Sequence, residues 1–352
     1  MYRAFFDLVF RRMDPELAHR RGFRAIRLVG AVPPLASVVR RVLAPGTAGR
    51  VRAMGIDFPA AFGVAAGFDK DAVAVPGLTM LGFGFVEVGT ITAHGQPGNP
   101  VPRLWRVLER RAVRNQMGFN NEGAAAVAAR LRRLRATPAG RNLVVGVNIG
   151  KTRSAGVDQA AADYATSAAL LAPYADYLVV NVSSPNTSGL RDLQAVDALR
   201  PILTAVRAAA DGATSPRGRA AVPLLVKISP DLSDDDVDAV AELALELGLD
   251  GVVAVNTTTS HPYGPGGLSG PPLLHRGLDV VARLRNRLGP DPVIIGVGGI
   301  SSAADALEYL AVGATLVQGY TGFIYHGPLW AAGINRALAA DAVRAHGSRV
   351  AA

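Results

Sequence analysis

The chain of 352 residues contains no cysteine. Disulfides, thiolate nucleophiles, Cys-ligated zinc and self-held iron–sulfur clusters are excluded together. Histidine is scarce and scattered. The six residues, at 19, 94, 261, 275, 326 and 346, make no i, i+4 pair and no HExxH, so no metal centre is expected. No charge-free apolar run reaches the ~18 residues of a transmembrane helix, although the mean hydropathy of +0.23 lies on the apolar side. Arg11 and Arg12 interrupt the apolar start and no small-residue cleavage site follows, so no signal peptide is expected.

Lysine is nearly absent too. Of 37 basic residues only Lys70, Lys151 and Lys227 are lysines, a bias that points to a GC-rich bacterial genome. Each surviving Lys is a candidate for a role Arg does not fill, that of a compact, rotatable point charge, and all three end apolar runs. The net charge of +9 is unevenly placed: residues 1–52 carry 11 Arg against 3 acids, and the rest is nearly neutral. Basic excess confined to an N-terminal arm argues against a nucleic-acid partner at the main domain.

Within that arm, Tyr2, Phe5, Phe6, Val9 and Phe10 follow helical spacing. Asp14 reads as an N-cap before Pro15, opening a second helix to about Gly30 with Arg20, Arg24 and Arg27 on one face and Ala18, Gly22, Ala25, Ile26 and Val29 on another. Two such short helices pack on the main domain or lie at a membrane surface. Val32-Pro33-Pro34 and Ala44-Pro45-Gly46 read as linker, so residues 1–45 form an extension and 46–352 the main domain. From residue 60 onward, eight short apolar runs (62–66, 84–88, 143–148, 177–182, 223–228, 251–255, 292–297 and 314–318) alternate with helical stretches. Doubly buried parallel strands with helical crossovers over this length predict an α/β fold, a (β/α)8 TIM barrel. A doubly wound sheet is the alternative, but no GxGxxG follows the first strand.

In such a barrel the site lies at the C-terminal strand ends. Here those ends carry Asp69-Lys70, Thr90, Asn148, Asn181 to Thr187, Lys227, Asn256-Thr257-Thr258, Gly298-Gly299 and Gln318 to Thr321. They describe a cup of neutral donors and acceptors with two or three cations. Only Asp69 and Glu87 offer carboxylates and no strand end offers a histidine, which argues against a glycosidase or a Ser-His-Asp hydrolase. Such a cup suits a planar heterocycle, with a Lys to stabilise negative charge on it. The Gly-rich turns after the last two strands suit a phosphate, and FMN combines both features.

The motifs AAGFDK (65–70), VGTIT (88–92), NQMGFN (115–120), GVNIGK (146–151), NVSSPNT (181–187), VKISPD (226–231), NTT (256–258), GGLSG (266–270), IGVGGI (295–300) and LVQGYTGFIYHGP (316–328) occur in the order seen in dihydroorotate dehydrogenases. Over about residues 60–330 the chain resembles that family. It is most similar to the class 2, quinone-dependent form, because it carries the two-helix extension and has Ser184 where class 1 enzymes have Cys. The resemblance implies oxidation of dihydroorotate to orotate in pyrimidine biosynthesis, with hydride passing to FMN and then to a membrane quinone.

On that resemblance Ser184 is the catalytic base, with Thr187 and a water relaying the proton. Lys70, Asn115, Gln116, Met117, Gly118, Phe119, Asn181, Asn186, Asn256 and Thr257 hold the substrate. Ala66, Gly67, Phe68, Asp69, Lys70, Thr90, Asn148, Asn181, Lys227, Val255, Gly270, Gly299, Tyr320 and Thr321 hold FMN. His19, Arg106 and Tyr320 line a quinone tunnel, and loop 185–193 acts as a lid. The basic arm meets an anionic membrane surface on the cytoplasmic side of a bacterial cell membrane, and the enzyme is a monomer. Phe68, Gln116 and Val255 depart from the family pattern. Lys151 is expected to be structural, and Asp234-Asp235-Asp236 to be a helix N-terminus favoured by its dipole. The rival readings are a class 1-like or other FMN barrel with a different acceptor, and a non-catalytic flavin- or RNA-binding barrel.

Overall fold

The computed structural model describes residues 2–44, 46–187, 189–215 and 221–350. Pro45 of the expected linker and Ser188 of the expected lid lie outside them. The arm contains α1 (Tyr2–Leu8) and α2 (Pro15–Gly30), as expected. The Asp14 carboxylate caps α2 by accepting from the Leu17 N–H at 2.8 Å. Arg20, Arg24 and Arg27 are exposed; on the other face Ala18 is buried and Gly22, Ile26 and Val29 partly so, while Ala25 is exposed.

A third helix, α3 (Pro33–Leu43), occupies much of the segment read as linker. Pro33 and Pro34 open its first turn, where a missing N–H leaves no bond unmade and the fixed φ suits a helix. The hairpin β1 (Val51–Ala53) and β2 (Ile56–Phe58) follows. It carries Phe58 into the N-terminal end of the barrel, edge-on to Phe85 with centroids 5.2 Å apart.

The main domain then runs β3 (Phe62–Val64), α4 (Val75–Met80), β4 (Val86–Ile91), β5 (Leu104–Val107), β6 (Ala112–Asn115), α5 (Ala124–Ala136), α6 (Pro138–Arg141), β7 (Val145–Ile149), α7 (Ala160–Leu171) and β8 (Tyr177–Asn181). It continues through α8 (Val196–Thr214), β9 (Leu224–Ile228), α9 (Asp234–Glu246), β10 (Gly251–Ala254), β11 (Gly267–Ser269), α10 (Leu274–Leu288), β12 (Val293–Val297), α11 (Ala303–Ala311), β13 (Leu316–Gly319), α12 (Thr321–His326) and α13 (Trp330–Val350). Strands β3, β4, β7, β8, β9, β10, β12 and β13 pair in parallel in that order, and β13 returns to β3 with Val317 opposite Phe62. These are the eight apolar runs, closed into a barrel. Buried Asn335 of α13 bonds the Phe62 N–H and C=O and the Gly82 C=O, tying the last helix to the closing seam. Ser233 caps α9, and Asp234, Asp235 and Asp236 form its first turn, as expected.

The barrel mouth carries an insertion that the strand count does not include. Strands β5, β6 and β11 form an antiparallel sheet, with Asn115 of β6 opposite both Leu104 and Gly267. The bidentate ion pair of Arg103 with Glu16, at 3.0 and 3.2 Å, ties this insertion to α2. The arm also touches the barrel where two helices pass without side chains between them. A Cβ on Gly30 would lie 2.5 Å from Gly77 Cα, and one on Gly77 would lie 2.5 Å from the Ile26 carbonyl. The substitution Gly30→Val should therefore push α2 off α4 while leaving the barrel ladder intact. Limited proteolysis should cut residues 1–43 faster in this variant with the main thermal transition retained; unchanged cleavage would contradict this packing role.

Candidate active site

The C-terminal strand ends converge on one cavity. Its lining includes Ala66, Gly67, Lys70, Thr90, Asn115, Met117, Gly118, Phe119, Asn181, Ser184, Asn186, Lys227, Val255, Asn256, Thr257, Gly270, Gly299, Tyr320 and Thr321. Its floor is a hydrogen-bonded lattice. Thr90 Oγ1 donates to Asn148 Oδ1 at 2.6 Å, and Asn181 Nδ2 donates to Thr90 Oγ1 at 2.9 Å. Asn181 Oδ1 accepts from the Ser183 N–H and hydroxyl at 3.1 and 2.9 Å, and Asn256 Nδ2 donates to Ser183 Oγ at 3.0 Å. Lys227 Nζ is buried at this floor and makes no hydrogen bond among the described residues. Burial pulls its pKa down, and the Glu87 carboxylate works against that shift.

One side of the cavity is set up for a small polar ring. Asn186 Nδ2 donates to Asn115 Oδ1 at 3.0 Å, so residues from the β8 loop and the mouth sheet meet over the barrel. Ser184 is buried beside them, its Oγ accepting from the Asn186 N–H at 3.3 Å. Lys70 Nζ donates to Asn120 Oδ1 at 2.8 Å, and burial followed by the nearby Arg103 charge lowers its pKa to about 8. Lys70 is therefore mostly protonated at neutral pH. Asp69 is not its partner, because that carboxylate accepts the Val73 and Ala74 N–H groups at 2.9 and 2.8 Å.

The opposite side is built from backbone. Gly299 has φ +78, and a Cβ there would lie 2.5 Å from the Leu274 nitrogen, so only glycine brings this turn so close to α10. The N–H groups of Gly299 and Ile300 make no hydrogen bond among the described residues, leaving donors for an anionic group. Thr321 and Ser269 exchange a hydroxyl bond at 2.8 Å beside them.

A second cavity, of about 460 Å³, lies between the arm and the barrel. It is apolar, lined by Phe5, Phe6, Phe10, Ala18, Gly22, Phe23, Ile26, Phe68 and Phe323, with His19 and Arg106 among its few polar groups. His19 stacks on Phe23 and meets Phe68 edge-on, at 5.6 and 5.0 Å between centroids. Arg106 donates to the Met13 carbonyl at 2.8 Å and sits over the Phe6 ring. Leu104, Val113 and Tyr320 line both cavities, so one wall of side chains separates the polar chamber from the apolar one.

The family model described as dihydroorotate dehydrogenase matches residues 49–341. Curated relatives named dihydroorotate dehydrogenase (quinone) include that of Kocuria rhizophila, 55% identical over 96% of this chain and 97% of the relative. Another, from Streptomyces coelicolor, is 56% identical over 97% and 94%. Among solved structures, DHODH from Eimeria tenella in complex with ferulenol superposes with a TM-score of 0.86 at 36% identity, covering 94% of this chain and 92% of that one. The chain belongs to the dihydroorotate dehydrogenase family.

Of the residues expected to hold substrate and FMN, most line the polar cavity and four do not. The Asp69 side chain caps the turn before α4, because a buried carboxylate needs the backbone donors found there. Phe68 faces the apolar cavity, where its ring packs on Tyr320 and Phe323. Asn148 lies beneath the lining and acts through Thr90 and Asn181. Gln116 lines a separate surface recess with Asn99, Arg153, Asn186 and Thr187, because its neighbours in the mouth sheet alternate in direction. His19, Arg106 and Tyr320 all line the second cavity. Lys151 is structural, its ammonium bonding the carbonyls of Thr152 and Ala155.

Sequence reading did not assign Gln318, Ser269, Leu104 or Val113 to the site, and all four line the polar cavity. Gln318 sits at a strand end and was visible there; the other three come from the mouth sheet, which has no apolar run to mark it.

The residues present fit the FMN of this family. Gln318 Oε1 is buried and without a partner among the described residues, Lys227 offers an unbonded ammonium, and the Gly299 turn offers unbonded N–H groups. Each is the complement of a group on a phosphorylated, amide-edged ring.

The apolar cavity has its own pH signature. Burial, followed by the Lys70 charge, lowers the His19 pKa to about 4, so the folded state holds His19 neutral where the unfolded chain, with a value of 6.5, takes up a proton. The unfolded state then binds more protons between about 4 and 6.5, and stability falls as pH drops through that window. His19→Phe removes this loss. The gap in melting temperature between variant and wild type should move in the variant's favour as pH falls from 7 to 4; a constant gap would contradict a neutral, buried His19.

Proposed function

We propose that this chain oxidises (S)-dihydroorotate to orotate in the polar chamber and delivers the electrons to a quinone in the apolar one, within pyrimidine biosynthesis. The observation that carries this reading is the shared wall of Leu104, Val113 and Tyr320 between a chamber suited to a polar ring and one suited to an apolar ring. FMN, when bound, would supply the two-electron acceptor. Thr90, Asn181, Lys227, Gln318, Gly270, Gly299 and Thr321 would hold it.

The chain's own residues supply the remainder. Asn115, Asn186, Asn256 and Thr257 orient the pyrimidine through its amide edges, and the protonated Lys70 neutralises its carboxylate. Ser184 Oγ takes the proton from the carbon beside the ring carbonyl. A serine is a weak base, so this proton must move on. Thr187 Oγ1, buried and unpartnered among the described residues, supports a path through it. Met117, Phe119 and Pro185 close the cavity sides and exclude water.

Residues 1–45 form the membrane- and quinone-facing extension, and 46–352 the FMN-binding barrel. No single helix among the described residues is long and apolar enough to cross a membrane. Leu8, Leu28, Leu35, Val38 and Val42 are nevertheless exposed on the arm, with Arg20, Arg24 and Arg27 also in solvent. That combination supports docking of the arm on an anionic bilayer surface at the cytoplasmic side of a bacterial cell membrane.

Half-reactions test the reading. Anaerobic dihydroorotate should bleach the flavin band of the purified protein, and a water-soluble quinone should restore it. A flavin that does not bleach would sink the substrate assignment. Gly22 lines the apolar chamber and a Cβ there meets nothing within 4 Å, so a side chain can start at this position and Gly22→Phe should occupy part of the chamber. This variant should bleach at the wild-type rate and be reoxidised by quinone at least about tenfold more slowly; equal slowing of both steps would contradict separate chambers.

A further inference from the structure

Beneath the polar floor lies a carboxylate that takes no part in the proton and electron transfers. Glu87, on β4, is fully buried. Its Oε1 accepts from Asn148 Nδ2 at 2.8 Å, and its Oε2 from Gln318 Nε2 at 2.7 Å and from the Tyr177 hydroxyl at 3.4 Å. We propose that Glu87 is a positioning residue: it fixes which way the amides of Asn148 and Gln318 point, and so determines that both present acceptors upward. An ionised carboxylate has no hydrogen to give, so each amide facing it must turn its NH2 group down. Gln318 Oε1 then faces the cavity, buried and unpartnered among the described residues. Asn148 Oδ1 points to Thr90 Oγ1 and Asn181 Nδ2, at 2.6 and 3.2 Å.

No backbone group sets the direction of either side chain. Asn181 is different, since the Ser183 N–H holds its Oδ1 independently. Asn256 is different too, its Oδ1 accepting from the Thr257 N–H at 2.8 Å. The orientation set by Glu87 is therefore confined to Asn148 and Gln318, which makes it separable by mutation.

Replacing Glu87 by Gln keeps the shape and changes the logic. The introduced amide has one acceptor and one donor but faces two NH2 groups, so one neighbour must turn round. Either Gln318 then presents a donor to the cavity, or Asn148 presents one to Thr90 and Asn181. Tyr177→Phe removes the two longer contacts of that hydroxyl, to Glu87 Oε2 at 3.4 Å and from Gln318 Nε2 at 3.5 Å, but leaves the carboxylate in place and forces no such turn.

The inference rests on the reading of this cavity as the FMN site, and the test uses FMN directly. FMN affinity and the flavin absorbance maxima are measured for wild type, E87Q, Y177F, Q318M and E87Q/Q318M, with melting temperatures alongside. E87Q should bind FMN about tenfold or more weakly, with shifted maxima, while Y177F keeps wild-type maxima. In the Q318M background only one NH2 faces position 87, the introduced amide accepts from Asn148, and the penalty of E87Q should shrink at least about fivefold. An E87Q chain that fails to fold but recovers in E87Q/Q318M meets the same expectation. Equal penalties in both backgrounds, wild-type FMN binding by E87Q, or failure to fold in both would overturn the proposal. A wild-type chain that takes up no FMN would overturn the reading of the cavity, and the proposal with it.

Discussion

One wall of three side chains, Leu104, Val113 and Tyr320, carries the logic of this molecule. On one side, amides, hydroxyls and two lysines face a chamber from which water must be kept. On the other, phenylalanines of the arm and barrel enclose an apolar space. A redox cofactor held against such a wall would pass electrons through it, so the two substrates need never share a site. Burial suits the wall to its position: it pushes the Tyr320 pKa up to about 12, so the phenol stays neutral at the boundary.

The closed barrel is what brings those pieces together. Parallel pairing places all eight strand ends at one rim, so residues as far apart in the chain as Lys70 and Gln318 become neighbours. The cost is burial of charge. Asp69, Glu87 and Lys227 are all removed from solvent, and each is offset by local donors or by an opposite charge rather than by water. Asp69 shows how incomplete the offset can be. Two backbone N–H bonds do not prevent burial from raising its pKa to about 6.

The barrel was legible in the sequence because doubly buried strands leave continuous apolar runs, and each run became a strand. The site was legible because polar residues at the ends of such runs have few structural uses, and the scarcity of lysine singled out Lys70 and Lys227 against an Arg-rich background. What escaped had physical reasons. Strands β5, β6 and β11 are three or four residues long and only partly buried, and Trp105, Arg106 and Arg114 break any apolar pattern. Helix α3 was hidden by prolines that read equally as linker and as helix start. The Asp69 side chain turns to the Val73 and Ala74 N–H groups and away from the cavity; spacing places a residue near a cavity but says nothing of which way its side chain turns. Gln318 and Glu87 face each other from strands 231 residues apart, a pairing only the closed ladder reveals.

The central claim is that the two chambers are separate sites meeting at one wall. Its most direct test is simultaneous occupancy: the Kd of orotate, read from the perturbed flavin spectrum, in the absence and presence of a saturating, redox-inert quinone analogue. Separate chambers predict the same Kd within about twofold, since ligands without competition or coupling bind independently. A Kd that rises in proportion to analogue concentration would mean the two ligands compete for one space, and would contradict the separation of the chambers.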